Sequence, residues 1–459
     1  MPVSGAADPH APRPVQPGTA TTTELAVAAA AATQAKPARL LSLDVFRGVV
    51  ILAMLIVNNP GDYSVIGYFW KHPDWREGRF APAFARWWES LASGAAAWHT
   101  AFTQFPLWRH CTLADFIMPM FMLIIGLAIP YSAASAARAG LSPTARWWRV
   151  LKRAALLVAL GWVLCYFRDQ FAPWVYGDRP FSISLGMDVL QLLGAAYLVA
   201  RVLYELPRYP RLAVCAALLV WHWAFLKFGY QGELVPRGTF EQVRDAATGR
   251  MVEHSAVKYA YDHWNVWGFR LTPWLSVSWV GLLSVPPAAG MMLLGTIAGD
   301  WMRDNRLDDR RRCRGLALAG AALALIGMAW AFDLPMNKPR WTPAYLVYCA
   351  GVGFMALALL YWLIDLRRCN GRWTTAFVAL GVNAIAAYWL TIMFKVLVLN
   401  LPRVTYDGKT MSLTAAVVRG LQDALNSPWA GGWAFTLLFV GFWWAVFGLA
   451  YRYRIAWRI

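Results

Sequence analysis

Ser42-Leu43-Asp44-Val45-Phe46-Arg47-Gly48 opens a stretch that runs through an apolar segment to Asn58-Asn59-Pro60-Gly61, and its reading decides the fold. A loop carrying His72 and Trp75 follows. The chain then returns to apolar sequence at Thr112-Leu113-Ala114-Asp115, with Pro119 and Gly126 inside the run. Charged and amide side chains thus bracket segments suited to lipid. An ionisable group at mid-bilayer costs roughly 2.5–3.5 kcal/mol even on insertion scales, so these positions are candidate functional sites.

The composition supports the lipid reading. Of 459 residues 59% are hydrophobic and 15% charged, where a soluble chain carries about a quarter charged residues. Mean hydropathy is +0.41, and the 27 tryptophans suit interfacial belts. A net charge of +18 raises the question of nucleic acid. The basic residues, however, lie in short loops between apolar runs, which points to membrane topology and away from nucleic-acid binding. The six cysteines show no metal-ligand spacing. Cys111 is expected alone near the outer face, so neither a disulfide framework nor a metal site is expected.

Residues 1–38 are rich in Ala, Thr and Pro without apolar periodicity and read as a disordered cytoplasmic tail. The remainder, 39–459, reads as one all-α polytopic membrane domain. Apolar runs near 43–59, 112–134, 150–167, 185–204, 211–228, 275–299, 315–333, 343–364, 374–400 and 432–452 predict about ten transmembrane helices. Short connections rich in Arg (146, 149 and 153; 303–314; 367–372) alternate with longer loops in which acids offset bases. The positive-inside rule then puts both termini in the cytoplasm and His72 outside. Two long outer loops result, 76–110 and 229–274. The first contains an Ala- and Trp-rich piece, Pro82 to Thr100, fit for an interfacial helix.

With that orientation the polar membrane residues form two groups. Asp44, Arg47 and Arg153 lie near the inner ends of their helices. Asn58, Asn59, His72, Asp115 and Asp188 lie toward the outer side, with Gln191 about one turn deeper. Asp44 and Asn58 stand about 21 Å apart at roughly 1.5 Å per residue, a span comparable to an extended pantetheine arm. Each residue also has a plainer reading. Asp44 and Arg47 have the spacing of a helical ion pair, Asn58-Asn59-Pro60-Gly61 that of a helix stop, and Asp115 that of a first-turn helix charge. A loop histidine is commonly only solvated, and His99 and His110 compete with His72 on the same loop.

These motifs resemble those of the heparan-alpha-glucosaminide N-acetyltransferase family and its bacterial relatives, a branch of the transmembrane acyltransferases. The likeness begins with Ser-Leu-Asp-x-Phe-Arg-Gly at 42–48 and Val57-Asn58-Asn59-Pro60-Gly61. His72-x-x-Trp75 is similar to the first half of a family signature, and Thr112-x-x-Asp115 to the second. Val189-Leu190-Gln191, Gly281-Leu282-Leu283-Ser284, Asn337-Lys338 with Trp341, and Gly381-x-Asn383-Ala384-x-x-x-Tyr388 follow in the expected order. Two departures stand out: roughly thirty extra residues split the signature between Trp75 and Thr112, and Val280 replaces an acid.

The resemblance implies acetyl transfer from cytosolic acetyl-CoA, as co-substrate, to an amino sugar or glycan on the periplasmic side of a bacterial inner membrane. It assigns His72 as base or acetyl carrier, Asp115 as its partner and Asn58 beside the reacting centre. Asp44, Arg47, Arg153 and Gln191 are then expected at the coenzyme, and Asn59, Trp75, Asn337, Lys338 and Asn383 at the acceptor. The partners expected are the bilayer, a coenzyme A thioester, the sugar acceptor and, in oligomers, a second copy as a homodimer. A multi-helix transporter or flippase, and an inactive relative that still binds coenzyme A, are the alternatives.

Overall fold

The computed structural model describes residues 40–63, 111–178, 180–229, 280–338 and 340–457. It also describes Trp70, positions 85, 87–90 and 92, and the backbone of four short strands between 241 and 278. The expected tail at 1–38 and most of both long loops lie outside the described residues. Of the piece from Pro82 to Thr100, positions 85, 87–90 and 92 are helical.

The chain is an all-α polytopic membrane protein. Its long helices are α1 (Leu41–Asn58), α2 (Leu113–Arg138), α3 (Pro143–Tyr166), α4 (Val189–Leu203), α5 (Arg208–Ala224), α6 (Val285–Arg303), α7 (Asp309–Trp330) and α8 (Pro343–Tyr361). They are followed by α9 (Arg372–Val382), α10 (Ala384–Phe394), the amphipathic α11 (Leu413–Ala424) and α12 (Pro428–Arg452). Among the described residues, eight helices are long and apolar enough to cross a membrane, and nine if the bent pair α9–α10 counts as one span. The sequence predicts ten, and the difference lies at α4. That helix starts at Val189, not near 185, and has only 15 residues, because the preceding segment is drawn into strand pairing instead. Similarly, the span expected from 275 becomes a strand and a 3-10 turn before α6 starts at Val285.

Small strands lie at the helix ends. β1 (Ile183–Leu185) pairs in parallel with β5 (Leu275–Ser278), which is antiparallel to β4 (Gly268–Thr272). Two hairpins, β2–β3 (Glu241–Arg244, Met251–His254) and β6–β7 (Arg403–Tyr406, Lys409–Ser412), complete the β content among the described residues. The long loop 229–274 therefore carries pairing strands.

Helix starts follow local chemistry. The hydroxyls of Ser142 and Ser427 accept from the N–H groups of Ala145 and Ala430, each at 3.2 Å, and Pro143 and Pro428 occupy first-turn positions whose N–H groups have no intrahelical acceptor. Burial then separates inner from outer helices. In the most apolar windows of α2 and α6, 67% and 72% of residues are buried, against 28% in α3 and α7. Leu318 and Leu325 of α7 and Leu437 and Leu438 of α12 are more than half exposed, as lipid-facing side chains are.

The inner helices touch backbone to backbone. A Cβ on Gly126 of α2 would collide with Met292 O of α6. One on Gly295 or Gly299 of α6 would collide with Leu123 O or Leu127 O of α2. Gly48 of α1 and Gly381 of α9 make the same close approach. Small residues serve membrane helices this way because lipid supplies no hydrophobic drive for association, leaving van der Waals contact to hold the interface. Gly295→Leu should therefore destabilise the protein by about 1–3 kcal/mol or more, the usual result of overpacking. Gly441→Ala, with nothing within 4 Å of its new methyl, should leave stability unchanged or raised. Thermal unfolding in detergent checks both.

Candidate active site

One face of α2 forms the wall of the site. Phe121, Ile124, Ile125 and Ala128 recur at helical spacing, and Ser132, Ser135 and Ala136 continue the row toward the end of the molecule where the arginines gather. Two cavities open along this row. The first, of about 600 Å³, is bordered by Arg146, Arg149, Lys152 and Arg153 of α3, Tyr197 and Arg201 of α4, and Trp457 from the C-terminal segment. The Ser142 cap fixes the first turn of α3, so residues 146, 149 and 153 fall on one side of it. Among the described residues no carboxylate lines this space. Arg201 pairs with Glu205 at 2.6 Å, and the Arg153 guanidinium lies 5.0 Å above the Tyr197 ring. Among the described residues, the Nε atoms of Arg146 and Arg153 are buried without a hydrogen-bond partner. Guanidinium forks left in that state suit phosphate oxygens.

The second cavity, of about 250 Å³, is apolar for most of its length. Leu157, Leu190, Leu193, Ile385 and Tyr388 face it together with the α2 row. Arg47 and Gly381 stand at its basic end, and Arg153 and Trp457 border both cavities. From Ala136 to Phe121 the α2 wall rises about 22 Å, and Asp115 lies a further 9 Å or so along the same helix.

At that far end a second polar cluster closes the helix start. Asp115 is fully buried, and its Oδ2 accepts from Thr112 N at 3.3 Å. Its Oδ1 lies 3.6 Å from Lys338 Nζ, which also donates to Ala114 O at 3.1 Å. Tyr345 Oη donates to Asp115 O at 2.6 Å. Burial holds the Lys338 ammonium below the ordinary lysine pKa of 10.5, and the neighbouring Asp115 carboxylate opposes that shift. Cys111, expected to be alone, instead lies buried within hydrogen-bonding reach of Cys349, and burial pushes its thiol pKa up. Both are free thiols. Among the described residues no three His, Cys, Asp or Glu side chains converge as a metal site requires.

The remaining expected residues divide clearly. Asp44 and Arg47 form an ion pair at 3.3 Å, with Arg47 facing the apolar cavity. Gln191 is buried but turned aside: its Oε1 accepts from Asp188 N at 3.3 Å, and its Nε2 lies 3.6 Å from Cys165 Sγ. Asn58 is exposed at the end of α1, where its carbonyl accepts from Lys395 Nζ at 3.1 Å. Asn59 is buried and donates to Leu55 O at 2.9 Å. The Asn337 carboxamide accepts from Arg340 N at 3.0 Å, and this turn presents Lys338 to Asp115. Asn383 lies at the basic end, where it holds the C-terminal segment through Ile455 O and Trp457 N at 3.3 and 2.8 Å. His72 and Trp75, with His99 and His110, lie outside the described residues. The structure therefore joins Asp115 to Lys338, sets Arg47 and Arg153 along one cavity, and ties Asn383 to the C-terminal segment that borders both cavities.

Sequence reasoning treats Arg146 and Arg149 as topology markers. It passes over Trp457, three residues from the end of the chain with no pattern around it.

Fold and site together define a polytopic membrane protein with a cationic chamber and an apolar one that share Arg153 and Trp457 at their borders. Residues 95–331, just over half of the chain, match the family described as heparan-alpha-glucosaminide N-acetyltransferase, catalytic, and the chain belongs to that family. The matched span includes Asp115, Arg153 and Gln191 and begins after the motifs at 42–75. A search of curated proteins finds no match.

The Asp115–Lys338 pair makes a sharp stability prediction. Lys338→Met leaves a buried carboxylate without its ammonium and should destabilise by about 3–5 kcal/mol. Adding Asp115→Asn should restore part of that loss, as a double-mutant cycle by thermal unfolding would measure.

Proposed function

We propose that the protein moves an acetyl group from acetyl-CoA, taken up at the basic face, to an amino sugar or glycan acceptor at the opposite end of the bundle. One observation carries the reading: an acid-free cavity walled by arginines adjoins an apolar cavity through shared residues Arg153 and Trp457. Coenzyme A has the same order of parts, with phosphates at one end and an uncharged arm at the other. The family match supports an N-acetyltransferase chemistry for the whole.

In this reading Arg146, Arg149, Arg153 and Lys152 receive the phosphates, and Arg47 stands where the arm enters the bundle. The arm follows the α2 row toward Asp115. A base then removes the proton from the acceptor amine, the amine nitrogen attacks the thioester carbonyl, and the carbon–sulfur bond breaks to release coenzyme A as its thiol once protonated. His72 is the proposed base, or carries the acetyl group in a two-step relay. Asp115 and Lys338 supply fixed charge beside it, and Asn58 is the proposed donor to the oxyanion, a class of contact worth about 2.7–4 kcal/mol. The basic end faces the cytoplasm by the positive-inside rule, which puts the acceptor on the outer side of the membrane.

Purified protein should bind coenzyme A, and Arg153→Ala should weaken that binding roughly tenfold to a hundredfold, since a hydrogen bond to a charged group is worth about 1.5–3 kcal/mol. His72→Ala should abolish transfer of labelled acetyl groups to amino sugars, followed by mass spectrometry, while leaving coenzyme A affinity within about twofold. Loss of transfer in His99→Ala or His110→Ala, with His72→Ala active, reassigns the base. No binding of coenzyme A by the wild type rejects the reading.

A further inference from the structure

The last described residues of the chain have no place in the reaction so far. After α12 ends at Arg452, Arg454 takes a left-handed conformation (φ 59°) and turns the chain back over the basic face. There Asn383 grips it with both halves of its carboxamide. Oδ1 accepts from Trp457 N and Nδ2 donates to Ile455 O, the pattern one peptide group uses to pair with a strand. Asn383 is itself buried, at the 70° bend between α9 and α10. The Trp457 indole meets Trp389 edge to face, with centroids 6.1 Å apart, and Trp389 is anchored to α3 through Leu160 O at 3.1 Å. Yet 39% of Trp457 remains exposed. This is a bulky apolar ring held by backbone hydrogen bonds and an aromatic buttress, and it shares with Arg153 the border of both cavities.

We propose that Trp457 and Arg153 form a collar between the two chambers, and that Trp457 is a specificity-determining residue for the donor. This rests on the acetyl-CoA reading above. What occupies the collar follows from what adjoins it. An anionic link lies naturally against Arg153, and a branched aliphatic group against the indole. In coenzyme A those are the diphosphate and the dimethyl carbon of the pantoyl unit beside it. The collar thus reads the junction between nucleotide and arm, of which 4′-phosphopantetheine keeps the dimethyl carbon and one phosphate.

The test measures affinities of the purified full-length protein for coenzyme A, 4′-phosphopantetheine and adenosine 3′,5′-bisphosphate. Burying two methyl groups is worth about tenfold in affinity. Trp457→Ala should therefore weaken coenzyme A and 4′-phosphopantetheine by about tenfold each and leave the bisphosphate within about twofold. Trp457→Phe should recover most of the loss. Asn383 grips backbone, so the segment stays in place in both variants.

A loss for adenosine 3′,5′-bisphosphate with none for 4′-phosphopantetheine would mean that the ring stacks on the base, and would overturn the collar. Equal losses for all three ligands would mean only that the segment had come loose, and unchanged affinities would mean that the ring has no role. Either result also overturns the collar. A wild type that binds none of the three removes the acetyl-CoA reading itself, an outcome distinct from a variant-specific failure.

Discussion

The position of α2 against α6 is the constraint on which the other features depend. α2 carries Asp115 at one end and the wall of the cationic chamber at the other. It contains Pro119 and Pro130, and so relies on its neighbours to fix its path. Gly126, Gly295 and Gly299 let the two backbones touch, and dispersion contacts at that distance replace the hydrophobic drive that lipid cannot provide. With the helix held there, the polar groups at its two ends keep a fixed separation. A bulge of one side chain at this seam would displace both.

Electrostatics supply the asymmetry. Among the described residues, the one carboxylate paired with the cations of the basic chamber is Glu205, outside the lining. The far cluster, by contrast, is internally compensated: Asp115 meets Lys338, and the helix start uses the remaining carboxylate oxygen. One end of the bundle is prepared for an incoming anion and the other has satisfied its own charge. A solute pore symmetric about the membrane centre would not need such a division.

Much of this was readable in the chain. Hydropathy located the crossings, and the spacing of acids and bases located both polar ends, because both signals are local. Arg47 and Arg153 both line the apolar cavity, and Asp115 is buried at the start of α2. Reading failed where distant segments decide the outcome. Gln191 looked available, yet it is engaged by Asp188 and Cys165. Cys111 looked solitary, yet folding brings it to Cys349, more than two hundred residues away. Asn383 resembled an acceptor contact, but its partners are the backbone groups of Ile455 and Trp457. No local pattern records a carboxamide that clamps the opposite end of the chain.

The shortness of α4 has its own effect inside the bundle. Fifteen residues reach about 22 Å, well under the hydrocarbon thickness of about 30 Å. The paired charges of Arg168 and Asp188, 2.7 Å apart, and the Trp162 bond to Gly186 O at 3.1 Å cluster just beyond its start. Most of α4 is buried and Val202 is its one exposed residue, so the shortfall is closed by neighbouring helices and not by the acyl chains. A polar pair thus sits where a helix of full length would have placed apolar side chains.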